Sequence, residues 1–139
     1  MTRSQSDRER QLVGRAHAVL PGGNLGNVAK DIVIERGQGS HIWDASGNEY
    51  IDYLLGSGPM LIGHSHPEVL EVVREQLAKG TTFFANNEFA IELAEEIVRA
   101  VPCADKVRFS STGTEATLYA MRAARAYRRK DKILKFEGG

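Results

Sequence analysis

Phe109-Ser110-Ser111-Thr112-Gly113-Thr114-Glu115-Ala116 is the stretch on which the fold turns. Before it stands a short run suited to a strand, residues 106–109, and after it an alanine-rich run suited to a helix, 118–127. Thr112 with Glu115 three residues on has the spacing of a capping box, in which each side chain accepts from the other residue's backbone N–H. A helix that begins here leaves its first N–H groups without intrahelical partners, at the positive end of its dipole. Gly113 has no side chain to block close approach, and the neighbouring serines and threonines add hydroxyls, so the turn reads as a phosphate cradle. It reads equally as a capped helix start with no ligand. It matches neither the glycine pattern of dinucleotide sites nor the lysine-bearing P-loop.

Outward from this turn the segments alternate. Residues 132–136 read as a second strand, so strand, helix, strand predicts the start of a crossover unit in a mostly parallel sheet. Upstream, residues 32–36, 40–44 and 49–54 read as three strands, separated by glycine-bearing turns at 37–39 and 45–48, which predicts a small antiparallel meander. Helices are predicted over residues 8–20, stopped by Pro21-Gly22-Gly23, and from His66-Pro67 to Gly80, with Val69, Val72, Val73 and Leu77 as an apolar stripe. A third begins at Asn86-Asn87, carries Phe89, Leu93, Ile97 and Val98 on one face, and stops at Pro102. The expected class is α/β: helix and meander over residues 1–65, then the beginning of a larger, mostly parallel domain over 66–139. One crossover cannot cover both faces of a parallel sheet, so more chain is expected to follow, and these residues are not expected to fold well alone.

Composition removes several function classes. The 18 basic and 18 acidic residues cancel, so no net field draws nucleic acid or an anionic membrane. With 42% hydrophobic and 26% charged residues the chain is too apolar for disorder. Cys103 is the only cysteine, which excludes an internal disulfide, and no run approaches the ~20 apolar residues of a membrane span. A cytoplasmic location is the expectation. His64 and His66 have no companion ligands at zinc spacing, so no metal site is expected, and His66 before Pro67 reads as a helix-start residue. Arg122, Arg125 and Arg129 share one helix face, which reads as a solvated face or a subunit contact. Trp43 and Tyr50 read as packing residues, and Asp44 and Asp52 as ordinary acidic residues at strand ends.

Taken in order, the segments resemble a family. Gly39-Ser40-His41-Ile42-Trp43-Asp44, Gly47-Asn48-Glu49-Tyr50-Ile51-Asp52-Tyr53 and Gly63-His64-Ser65-His66-Pro67 are similar to the opening of class III aminotransferases. Thr112-Gly113-Thr114-Glu115-Ala116, Ala123-Ala124-Arg125-Ala126-Tyr127 and Lys132-Ile133-Leu134-Lys135-Phe136-Glu137-Gly138 continue the likeness, within the branch of the glutamate-1-semialdehyde aminomutases. The resemblance implies the fold-type I architecture and pyridoxal 5'-phosphate as cofactor. It places Thr112, Gly113 and Thr114 against the cofactor's phosphate, and Ser57 and Gly58 in the loop that lines the substrate entrance. It also implies a homodimer acting on an amino donor and an oxo acceptor.

Three departures qualify the match. The family usually has serine where Thr112 stands, which keeps the hydroxyl and adds a methyl. The aminomutases carry tryptophan where Ser57 stands and serine where Gly26 stands, so a transaminase is the first expectation and the aminomutase reaction the alternative. By resemblance, the lysine that holds the cofactor covalently, the aspartate at its ring nitrogen and the aromatic that stacks on its ring are expected beyond Gly139. No catalytic residue is therefore expected within these residues, which read as an inactive N-terminal part of an enzyme. A truncated relic, or a partner that only dimerises, is the remaining alternative.

Overall fold

Ser6 starts helix α1, Asp7–Val19, by accepting the backbone N–H of Glu9 on its hydroxyl, and Asp7 and Glu9 suit the positive end of the dipole. The computed structural model describes residues 3–25 and 31–138. Leu20, extended at φ −110° and ψ 133°, ends α1, and Pro21–Gly23 follows as a single tight turn in which Gly22 takes a left-handed φ of 69°. The expected antiparallel meander forms with shifted bounds: β1 (Ile34–Gln38), β2 (His41–Asp44) and β3 (Glu49–Ile51) pair in sequence order. Residues 37 and 38 join β1 rather than the turn, and β3 stops at Ile51 rather than running to 54. A bulge between Ile34 and Arg36 shifts the β1–β2 register. The chain divides into two units, Met1–Thr81 and Thr82–Gly139.

Charge, rather than hydrocarbon, ties the first unit together. Among the described residues no hydrophobic side chain is buried, whereas Glu9 and Asp44 are fully enclosed. Asp44 accepts from the Ser46 N–H at 2.9 Å, the Asn48 N–H and side-chain amide at 2.8 Å each, the Tyr50 hydroxyl at 2.7 Å and Arg3 Nε at 3.2 Å. Glu9 accepts the Val33 N–H at 3.0 Å and pairs with Arg3 and the Ser46 hydroxyl. The two carboxylates thus clip α1 onto β1 and onto the β2–β3 turn. Tyr50 is a donor in this network and not only a packing residue.

Helix α2, Pro67–Leu77, begins with proline at its first position, where no N–H bond is lost. The stripe expected along it is present but open: Val69 is 48%, Val72 51% and Leu77 60% exposed. In the second unit, Asn87 caps α3 (Glu88–Ala100) through the Phe89 N–H at 3.0 Å, and the helix ends ahead of Pro102. Helix α4, Gly113–Arg128, closes on Arg129, whose φ of 51° is left-handed.

The two strands expected at residues 106–109 and 132–136 do not form: among the described residues only β1, β2 and β3 belong to a sheet. A strand exists through its neighbours, and an apolar run fixes the propensity without supplying the partner. Strands joined by one crossover helix also need not be adjacent in a parallel sheet. The helix between them forms regardless, because its cap and its hydrogen bonds are local.

Candidate functional site

The turn before α4 has the geometry its residue types call for. Thr112 sits at φ −142°, ψ 156° as the N-cap, and its hydroxyl accepts the Glu115 N–H at 3.1 Å. Glu115 reaches back and accepts the N–H groups of Thr112 at 3.0 Å and Ser111 at 2.8 Å. The Ala116 N–H is the first to reach a turn carbonyl, that of Thr112, at 3.1 Å. Among the described residues, the N–H groups of Gly113 and Thr114 and the Thr114 hydroxyl find no partner. These three donors lie at the positive end of a 16-residue helix. A Cβ added at Gly113 would meet nothing within 4 Å, so the approach is open.

That set fits a phosphate. An anion with several acceptor oxygens can take two adjacent backbone donors and a hydroxyl at once, and the dipole favours its charge. The Glu115 carboxylate occupies the Ser111 and Thr112 donors, so those two amides are already served and the open donors lie further into the helix. A cleft of about 280 Å³ opens beside the turn, lined by Arg108, Ser110, Ala116, Tyr119, Ala120 and Ala123. A larger cavity of about 720 Å³ lies between α3 and residues 105–109, remote in chemistry from the donors because its walls are mostly apolar.

In the first unit the loop after β3 holds Ser57 and Gly58. Leu55, Gly56, Ser57 and Gly58 take φ of 49°, 64°, 66° and 109° in succession. The Ser57 N–H bonds to the Leu54 carbonyl at 2.9 Å and the Met60 N–H to the Leu55 carbonyl at 3.1 Å. Ser57 is exposed, and a Cβ at Gly58 would again meet nothing within 4 Å. Gly26, the other departure from the aminomutase pattern, lies outside the described residues.

Asp52 and His64, ordinary in the sequence, come together beneath this loop. His64 Nε2 and Asp52 Oδ2 are 2.7 Å apart, and Asp52 Oδ1 accepts the N–H groups of Leu54 at 2.9 Å and Leu55 at 3.0 Å. The hydrogen bond from His64, and then that from Leu55, hold the Asp52 carboxyl below the ordinary carboxylate range. Gly37 makes room for the ring, since a Cβ there would fall 2.6 Å from His64 Cγ and 2.9 Å from its Cβ. We predict that Gly37→Ala destabilises the protein by about 1–3 kcal/mol by overpacking, seen as a lower urea midpoint with unchanged slope. The sequence carried no signal for the pair, whose members stand twelve residues apart.

The other candidates separate. His66 precedes α2 without capping it through its side chain. Arg125 Nε donates to the Asp131 carbonyl at 2.6 Å, and Arg122 and Arg129 are exposed. Among the described residues no three histidine, cysteine or acidic side chains gather as a metal site, and no helix is long and apolar enough to cross a membrane.

Comparison with known proteins bears on all of this. The family described as aminotransferase class-III matches residues 24–139. The glutamate-1-semialdehyde 2,1-aminomutase of Methanothermobacter thermautotrophicus is 45% identical over 135 residues, covering 94% of this chain and 32% of that protein. An omega-transaminase from Sphaerobacter thermophilus superposes with a TM-score of 0.87 at 39% identity, over 94% of this chain and 31% of its own. A transaminase with PLP bound superposes with a TM-score of 0.89 at 33% identity, over 99% and 33%. The chain spans about one third of the length of the curated relatives it matches.

Proposed function

We propose, from the premise that this chain belongs to the class III aminotransferase family, that it supplies the phosphate-binding turn of an enzyme moving an amino group from an amino donor to an oxo acceptor. The observation that carries the reading is the trio of donors at the head of α4 with no partner among the described residues: the Gly113 and Thr114 N–H groups and the Thr114 hydroxyl. Pyridoxal 5'-phosphate is the cofactor proposed for them, and when bound it supplies the electron sink that amino-group transfer needs. Thr112 acts by holding the cap, since its hydroxyl is turned to the Glu115 N–H. The Glu115 carboxylate, by taking the Ser111 and Thr112 N–H groups, keeps the first turn fixed while the next two donors stay free for the anion.

Ser57 and Gly58 are proposed to line the substrate entrance, on the support of an exposed loop tip with no side-chain bulk. Residues 66–139 are assigned to the beginning of the cofactor-binding domain and 1–65 to the smaller region, in a cytoplasmic homodimer. The role of covalent cofactor anchor is given to none of residues 1–139, and on these residues alone no turnover is expected. The test is direct: the protein as its gene encodes it, incubated with pyridoxal phosphate and freed of excess, should retain the cofactor's visible absorbance and lose it to an amino donor. A colourless protein after that treatment would end the reading.

A second reading is favoured by the curated relatives, which carry the aminomutase name at 41–45% identity. The small Ser57 side chain supports transfer between separate molecules instead. Conversion of glutamate-1-semialdehyde with no added oxo acid would establish the aminomutase reaction, and dependence on an added oxo acid would establish the transaminase.

A further inference from the structure

The backbone after β3 follows a course that residues with side chains avoid. Leu55 and Ser57 both stand in the left-handed region, where a Cβ crowds the backbone, and they alternate with Gly56 and Gly58 so that four successive residues have positive φ. Such a segment persists only when its surroundings over-determine it. The surroundings do so from both ends.

At the leading end, Asp52 Oδ1 accepts the Leu54 and Leu55 N–H groups and turns the chain out of β3. At the trailing end, His64 is fixed by three separate contacts. Its backbone exchanges two hydrogen bonds with Gly39, each 2.8 Å, and its ring lies against Gly37. Next to it the Ser65 hydroxyl donates to the Gly37 carbonyl at 2.9 Å. The two ends are then joined to each other by the 2.7 Å contact between His64 Nε2 and Asp52 Oδ2. An ionised carboxylate can only accept, so Nε2 carries the proton and donates it. Both side chains are largely enclosed, with 22% of His64 and 10% of Asp52 exposed, so water competes weakly for this bond.

We infer that Asp52 and His64 are positioning residues, which hold residues 55–58 in their left-handed course so that Ser57 and Gly58 present a fixed, open rim to the incoming amine. The inference rests on the reading of that loop as the substrate entrance. Neither residue touches the reacting atoms in this scheme. Loosening the pair therefore weakens substrate binding and leaves the chemical step close to its original rate, a split that a general loss of folding would not produce.

The experiment uses the protein as its gene encodes it, loaded with pyridoxal phosphate, with His64→Ala, His64→Gln, Asp52→Asn and Ser57→Trp. Two things are measured: kcat and KM for the amino donor, and hydrogen exchange of the Leu54, Leu55 and Ser57 amides. His64→Ala is expected to raise KM about tenfold with kcat within about threefold, and to speed exchange at those amides about tenfold or more. His64→Gln, whose amide can still donate to Asp52, should recover part of both. If His64→Ala does not fold, Asp52→Asn, which keeps an acceptor for Leu54 and Leu55 but lowers its charge, is expected to shift both readouts in the same direction. Unchanged exchange in the His64 and Asp52 variants would overturn the positioning role, whatever Ser57→Trp does. Faster exchange with KM unchanged in those variants and in Ser57→Trp would instead overturn the entrance reading, and the inference with it. A fall in kcat at constant KM would also overturn the inference.

Discussion

Gly113→Pro is expected to leave α4 standing while weakening pyridoxal phosphate binding about tenfold to a hundredfold, the value of one hydrogen bond to a charged group. Proline is well suited to the first helical position, and the N–H it removes has no partner among the described residues. Thr112, at φ −142° and ψ 156°, already has the extended backbone that the residue before proline prefers. The open space where a Cβ would stand leaves room for the ring. The folded protein therefore loses no bond, and the anion loses a donor. Gly113→Ala keeps the donor and adds only a methyl, so it measures crowding alone and is expected to fall well short of the proline variant. Titration of cofactor absorbance gives the affinities, and the thermal midpoint shows whether the helix has suffered. Wild-type affinity in Gly113→Pro would mean that this amide does not hold the phosphate. Equal losses in both variants would assign the effect to bulk.

The parts of this structure that were legible in the sequence are those governed by local chemistry. Thr112 and Glu115 announce the capping box, Asn87 and Pro102 bracket α3, and the glycines at 39 and 47 punctuate the meander, because caps and turns depend on residues a few positions apart. What depends on partners distant in sequence was not legible. Residues 106–109 and 132–136 have the composition of strands, but no composition states which neighbour a strand will have. Asp44 and Asp52 look alike in the sequence, each an acidic residue near a strand end. One becomes a fully enclosed hub because Arg3, 41 positions away, returns to it, and the other meets His64 across a loop. The phosphate turn was legible as a possibility, since its donors are backbone groups that any capped helix start would present. The Glu115 carboxylate serves Ser111 and Thr112 and leaves Gly113 and Thr114 open, as a capping box does with or without an anion, so cofactor titration and not the cap decides the role.

Asp44→Ala is expected to destabilise the protein by about 3–5 kcal/mol, the range for removing one partner from a buried charge network. Burial alone would raise the pKa of this carboxyl. The hydrogen bonds from the Asn48 side chain, Tyr50, the Asn48 backbone and Arg3 outweigh burial and hold it far below its ordinary 3.8. Truncation leaves the Tyr50 hydroxyl and the Asn48 donors facing a void, while Arg3, with 26% of its side chain exposed, can still turn towards water. Asp44→Asn keeps the shape and one acceptor, and about 1–3 kcal/mol is expected for the donors it leaves unmatched. The sign of the pH dependence follows from the lowered value. A carboxyl whose folded pKa lies below its unfolded one contributes its full stability above the unfolded pKa, and that contribution drains away as pH falls towards the folded value. The stability gap between wild type and Asp44→Asn should therefore be constant from pH 7 to about 5 and narrow steadily below about 4. Urea unfolding of both proteins across that range measures the gap directly, and the other carboxyls, common to both, largely cancel. A gap that stays constant or widens on acidification would show that Asp44 is not held as the ionised hub that clips α1 to the meander.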